Sequence, residues 1–343
     1  MQKHLLLAIL FILARPGFNV LAEEAGQSAT DSPAGKIEAA AKHFLTTLDA
    51  AQREKAQFAF NDAAQRKRWS NLPVSMVSRA GVRMGDLNQG QRDAVWAVLA
   101  AALSRVGYEK VRQIVGADER LHKAERDGRA MFGMDQYFVS FLGQPSATEP
   151  WMIQFGGHHL ALNITLAGKN GTLAPSHTAA QPAIYEIEGK TTRPLGREND
   201  KAFTLINALS EAQRKEAIIG AQMRDLVLGP GRDGQTIQPE GIKGAELNDK
   251  QREMLLDLAS EWIGIQNEAM AATKMAEVKK DMEQTWFAWS GPTQNGSAAY
   301  FRIQGPTVLI EYAPQRLGGE PTKHIHTIYR DPTNEYGLKW WPK

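Results

Sequence analysis

Cysteine is absent from the 343-residue chain. Without it the protein can carry neither a disulfide nor the lipidated cysteine of a lipoprotein, so its stability has to come from core packing. An excess of one charge is also lacking, with 40 basic residues against 38 acidic ones. Removing residues 1–22 takes away Lys3 and Arg15 and no acid, which leaves a balance of about zero with neutral histidines. Nucleic acid and anionic membrane are therefore not expected partners, since both need a concentrated positive face. No Gly-x-Ser-x-Gly elbow, His-Glu-x-x-His helix, phosphate loop or EF-hand loop occurs, so the common hydrolase and nucleotide signatures lend no support.

Long apolar runs are missing too, apart from one at 5–14 that lies between Lys3 and the pair Arg15-Pro16. The small-residue site Val20-Leu21-Ala22 follows it, which is the order of a secretory signal peptide over 1–22, cleaved after Ala22. A membrane anchor would need about 20 apolar residues, roughly twice this run. The expectation is an exported protein, secreted or periplasmic, with no stable membrane anchor after cleavage. Residues 23–35 are rich in Ala, Ser, Gly and Asp without apolar periodicity and read as a disordered leader.

The remaining chain, 36–343, reads as one α+β domain: helical over 36–130, β-rich over 136–190, helical over 198–285 and β-rich over 286–337. Without a repeating βα unit this order predicts an antiparallel or mixed sheet, built from two separated β-rich stretches and flanked by two helical segments. A motif of Leu, a capping residue, two variable positions, Gln and Arg begins at Leu48, Leu87, Leu209 and Leu247. The capping residue three positions before Gln marks four helix starts. Spacings of 39, 122 and 38 residues lack the steady period of a solenoid, and the recurrence reads as a helix-opening device in two separated helical pairs. After Asn88 the apolar stripe Val95, Trp96, Leu99 and Leu103 predicts a helix that ends near Gly107.

Four of the eight histidines fall in two short segments, His158-His159 after Gly156-Gly157 and His324-Ile325-His326 near the C-terminus. In a strand over 323–330, His324, His326 and Arg330 share one face, and two imidazoles so placed can bind one metal ion. Further ligands are needed, and His158 or His159 can supply them. As strand neighbours these two would point to opposite faces, with His159 on the more polar one. Glu311, on the preceding strand, is the nearest carboxylate in sequence for a fourth ligand or general base. Arg330 and Asp331 stand where a strand meets a loop, as an anion anchor and a substrate contact or, equally, as a turn-starting pair. Gly229-Pro230-Gly231-Arg232-Asp233-Gly234 has the spacing of a dinucleotide fingerprint but no strand before it, and reads as a connector. Trp286, Phe287 and Trp289 suit either a ligand cleft or the core.

The chain resembles the family of mostly exported proteins known as domain of unknown function 3500. The resemblance rests on Gly156-Gly157-His158-His159-Leu160, Gly229-Pro230-Gly231, Trp289-Ser290-Gly291, Arg302-Ile303-Gln304-Gly305-Pro306, Ile310-Glu311-Tyr312 and His324-Ile325-His326-Thr327 through Arg330-Asp331-Pro332. It implies no particular activity, but its motifs fall on the residues already singled out. His177 stands where the family pattern leads to an apolar residue and is not counted as a ligand. The expected function is a histidine-rich site for a divalent metal ion, zinc, copper or iron, in an enzyme that hydrolyses or oxidises a small molecule or glycan. A non-catalytic protein that binds a small molecule, glycan or metal is the alternative.

Overall fold

Local chemistry sets four helix starts in the same way. Asp49, Asn88, Ser210 and Asn248 each accept a hydrogen bond from the amide three residues on, and the Gln there reaches back to the cap's own amide. These are capping boxes, satisfying two amides that would otherwise lack partners. In the computed structural model, which describes residues 32–125 and 131–341, they open members of two sets of helices. The first set is α1 (Pro33–Thr47), α2 (Ala50–Ala56), α3 (Gln89–Ala102) and α4 (Arg105–Lys123). The second is α5 (Gly196–Ala208), α6 (Glu211–Ala217), α7 (Asp249–Ile263) and α8 (Glu268–Lys280).

Each set is followed by four long strands: β1 (Phe138–Leu142), β2 (Trp151–Gly156), β3 (Leu160–Ala167) and β4 (Ser176–Ala180), then β5 (Trp286–Ser290), β6 (Tyr300–Gly305), β7 (Val308–Pro314) and β8 (Ile325–Arg330). All eight lie in one mixed sheet, in the order β1-β2-β3-β4-β8-β7-β6-β5. The order is symmetric about the antiparallel β4–β8 pair. Short strands extend the symmetry, with Gln57–Phe58 parallel to β1 and Ile218–Gly220 parallel to β5. Val82–Arg83 and Ile242–Lys243 pair antiparallel with the same two strands.

The chain is therefore built of two copies of one helix-and-strand unit. Equivalent motif positions recur about 160 residues apart, as for Leu48 and Leu209 or Leu87 and Leu247. Gln52 and Gln91 bond side chain to side chain in the first unit, and Gln213 and Gln251 do so in the second. Gly81 and Gly241 both have positive φ, and a Cβ on either would strike the carbonyl of Val139 or Phe287, a place only glycine fits. The recurrence read from sequence as a repeated helix-opening device is the trace of an internal duplication. A solenoid period was the wrong test, because two copies facing across a two-fold need no third.

Burial separates the faces of the sheet. One carries Phe141, Trp151, Phe155, Leu162, Phe301 and Ile303 against the helices in the main core. The other carries Leu142, Met152, Ala161, Leu309 and Ile328, covered by Trp69, Leu228 and Tyr336 from connecting segments. Thr178 and Thr327 meet at the centre, their hydroxyl oxygens 2.7 Å apart, and Trp262 of α7 donates to Thr327 at 2.8 Å.

Several sequence boundaries shift. The expected signal peptide lies outside the described residues, as does most of the leader, but α1 starts at Pro33, capped by Ser32, inside the stretch read as disordered. Gly107 does not end a helix. The break falls at Leu103, and Gly107 sits in the first turn of α4 with its Cα against the Ile265 backbone, where a Cβ would clash. The helical reading of 36–130 runs into residues outside the description at 126–130 and misses the mostly irregular segment 59–81. Trp289 and Phe287 are fully buried in the core, Trp289 packing edge-on against Phe203, so neither lines a cleft.

Candidate metal centre

His158 and His159 are not in a strand but in the turn Gly157–His159 between β2 and β3. Strand alternation therefore does not apply. Their rings are tilted by 32° with centroids 3.6 Å apart. His324 immediately precedes β8, after a 3-10 turn at Pro321–Lys323, and His326 is the strand's second residue. The turn belongs to the first unit and β8 to the second, and the β4–β8 pairing draws them to one end of the sheet.

Three imidazoles meet there through their Nε2 atoms. His159 Nε2 lies 3.2 Å from His324 Nε2, which lies 2.9 Å from His326 Nε2. All three rings are buried. The other nitrogen of each is held from behind. His159 Nδ1 donates to Asp118 Oδ1 at 2.6 Å, and His324 Nδ1 donates to the Leu317 carbonyl at 2.6 Å. His326 Nδ1 meets the Asn71 amide at 3.2 Å, a group whose oxygen and nitrogen exchange places by a half-turn.

These partners fix the tautomers. A proton on Nδ1 of a neutral imidazole leaves a lone pair on Nε2, so His159 and His324 aim lone pairs at each other with no proton between them. A tetrahedral ion bonded to nitrogens at about 2.0–2.1 Å would space its donors by about 3.3–3.4 Å, close to the 3.2 Å between His159 and His324 and wider than the 2.9 Å between His324 and His326. His159, His324 and His326 form a group that could hold a metal ion, and Asp118 with His158 and His159 forms another, overlapping one. The carboxylate behind His159 is the usual outer support of a metal-bound imidazole.

Electrostatics agree with neutral ligands. Burial, and then the neighbouring His324, push His159 well below the ordinary histidine range. Burial and then His177 do the same to His326. Asp118 is pushed up to about 6 by burial, against the pull of His158 and a hydrogen bond from Tyr137, a donation of 2.7 Å to Oδ2.

The structure brings together His159, His324 and His326, with His158 beside them, but not the other sequence candidates. Glu311 spends both oxygens on the Val227 and Leu228 amides, at 2.9 and 2.8 Å, and accepts from Tyr300 at 2.7 Å. Arg330 donates to the Leu228 and Gly229 carbonyls and pairs with Glu335. Asp331 pairs with Lys274 at 2.6 Å. All three are buried; Glu311 and Arg330 hold the connecting segment around Gly229 onto the sheet, and Asp331 ties the end of β8 to Lys274 of α8. Sequence reading missed Asp118, Asn71 and the Leu317 carbonyl. Asp118 alone left a trace, as an acid on the apolar face of α4 that is wholly buried. His177, not counted as a ligand, faces His326 at 5.2 Å between ring centroids.

The family model "Protein of unknown function (DUF3500)" matches residues 30–338. The chain belongs to the DUF3500 family. No curated protein and no solved structure matches it. Within this DUF3500 chain, the histidine pairs quoted for the resemblance supply every ring of the three-imidazole cluster.

The centre opens on a cavity of about 580 Å³ lined by His158, His324 and His326 at its floor, with Leu72, Met76 and Leu317 among its walls. Arg79, outside the lining, donates to the carbonyls of Val77, Ser70, Leu72 and Gly157. It thereby ties the segment that carries Asn71 to the turn that carries His158 and His159.

Proposed function

We propose that this is an exported metal-dependent enzyme whose divalent ion is held by His159, His324 and His326. The observation that carries the reading is the convergence of three Nε2 atoms whose opposite ring nitrogens are already committed. Three protein ligands leave coordination positions for water or substrate, the pattern of catalytic rather than structural sites, and the cavity meets the cluster on its open side. A bound ion would supply either an activated water, as zinc does, or a redox centre, as copper or iron does. Export is supported by the signal-like segment 1–22.

Metal analysis of protein purified from its exported location, beside a His324→Ala/His326→Ala double variant, tests the reading. One ion per chain, lost in the variant, is the expected result. Absence of metal after zinc, copper, iron and manganese have each been offered overturns it in favour of a non-catalytic binding protein.

A further inference from the structure

The cavity above the histidines has a chemical polarity that its floor alone does not disclose. Of the eight large apolar side chains exposed among the described residues, three stand on this one cavity: Leu72 at 37%, Met76 at 68% and Leu317 at 80%. Phe132 and Met223 continue the apolar wall, and Phe132 packs on His158 with centroids 4.8 Å apart. Exposed apolar groups gathered at one pocket mark a binding surface, whereas scattered ones need no explanation. Phe132 is the single aromatic side chain besides histidine on the lining, so the stacking platforms of a sugar cleft are missing among the described residues.

The floor favours negative charge. Three neutral imidazoles leave a divalent ion its full charge, and the carboxylate in contact with them, Asp118, lies behind His159 rather than in the cavity. Arg316 and Arg224 line the cavity against one acid, Asp225; Arg224 also donates to the Ile219 carbonyl at 3.0 Å and stands 3.8 Å from Glu240, while Asp225 accepts from Gln315 at 2.8 Å. Arg79, half-buried nearby, is a cation spent on carbonyls.

Resting on the metal reading above, we infer that the cavity binds an apolar carboxylate, its hydrocarbon body between Leu72, Met76 and Leu317 and its carboxylate directed at the three-histidine centre. The volume suits a ligand of drug-like size. An apolar body so placed gains affinity with each methylene it buries, while a polar body of equal length gains nothing.

Titration calorimetry of the zinc-loaded full chain with hexanoate, octanoate, decanoate and gluconate tests the inference, with metal content measured on the same samples. Affinity is expected to rise about fourfold per added methylene until the cavity is filled, with gluconate weaker than hexanoate. A Met76→Asp variant, altered at an exposed wall side chain that holds none of the histidines, should lose at least tenfold for decanoate and keep one ion per chain. Stoichiometric metal with no dependence on chain length, or gluconate as tight as decanoate, overturns this inference alone. If the chain-length series binds equally well to metal-free protein, the carboxylate does not reach an ion, and the head-group half of the inference falls whatever the metal content.

Discussion

His159 and His324 face each other across the seam between the two units of the chain, their Nε2 atoms 3.2 Å apart. One comes from the first unit's β2–β3 turn and the other from the approach to the second unit's β8. An ion between them would tie the units together, and anything that binds only the folded state stabilises it by mass action. At a free metal concentration a hundredfold above its dissociation constant, the gain is about 2.7 kcal/mol. Thermal unfolding of metal-loaded and chelator-treated protein should show a higher melting temperature with metal, and the His324→Ala/His326→Ala variant should show no difference. An equal response in the variant would place the stabilising ion elsewhere.

Asp118 is wholly buried and bonds His159 Nδ1 at 2.6 Å. It fixes which nitrogen carries the proton and raises the basicity of the other. Asp118→Asn keeps the shape and the hydrogen-bonding atom but not the charge, so metal should bind about 10–100-fold more weakly. Competition with a chromophoric chelator measures this directly. Unchanged affinity would show that the carboxylate does not tune the ligand.

Glu311 offers a contrast between support and chemistry. Its carboxylate takes two backbone amides and the Tyr300 hydroxyl, pinning 227–228 to the sheet. Hydrogen bonds to a charged group contribute about 1.5–3 kcal/mol each, and glutamine retains one acceptor oxygen. Glu311→Gln should therefore lower unfolding stability in denaturant by about 2–3 kcal/mol and leave metal content at one ion per chain. Loss of the ion with stability unchanged would return Glu311 to the site.

What the sequence discloses follows from the range of the interactions involved. The capping boxes at Asp49, Asn88, Ser210 and Asn248 are local and were legible residue by residue. So was the alternation that puts His326 and Arg330 on one face of β8. The turn at His158 was not, because its apolar flanks continue into β2 and β3 and hide the reversal that Gly156-Gly157 permits. The partners of Glu311 and Arg330 were illegible for a related reason: charged residues on strands draw attention to chemistry, while the 227–229 backbone they hold lies about 80–100 positions away. The Leu317 carbonyl carries no side-chain signal at all. The duplication was visible as four matching motifs, but its meaning needed the sheet order, which no spacing encodes.

His177 stacks on Trp69 and faces His326, is wholly buried, and has no hydrogen-bond partner for either ring nitrogen. Burial first, and then His159, push it down to about 3, with Arg79 and His324 acting in the same direction and a backbone interaction at Thr327 opposing them. The unfolded chain takes up a proton at this residue near pH 6.5, whereas the folded chain refuses it until about pH 3. Folded stability must therefore fall as pH drops through that window, by about 1.4 kcal/mol per pH unit from this group. His158, pushed down to about 2 by burial and His159, adds to this with the same sign, as do His159, His326 and His324, each lowered first by burial. Asp118, raised to about 6, works the other way, because its folded form gains a proton before its unfolded form does. His177→Phe keeps a ring against Trp69 and removes one titrating group. In chelator-treated protein, denaturant unfolding between pH 6 and 4 should show a slope shallower by about 1.4 kcal/mol per pH unit in the variant. Parallel slopes would mean that His177 already takes up its proton in the folded state, through an unseen partner in the cluster.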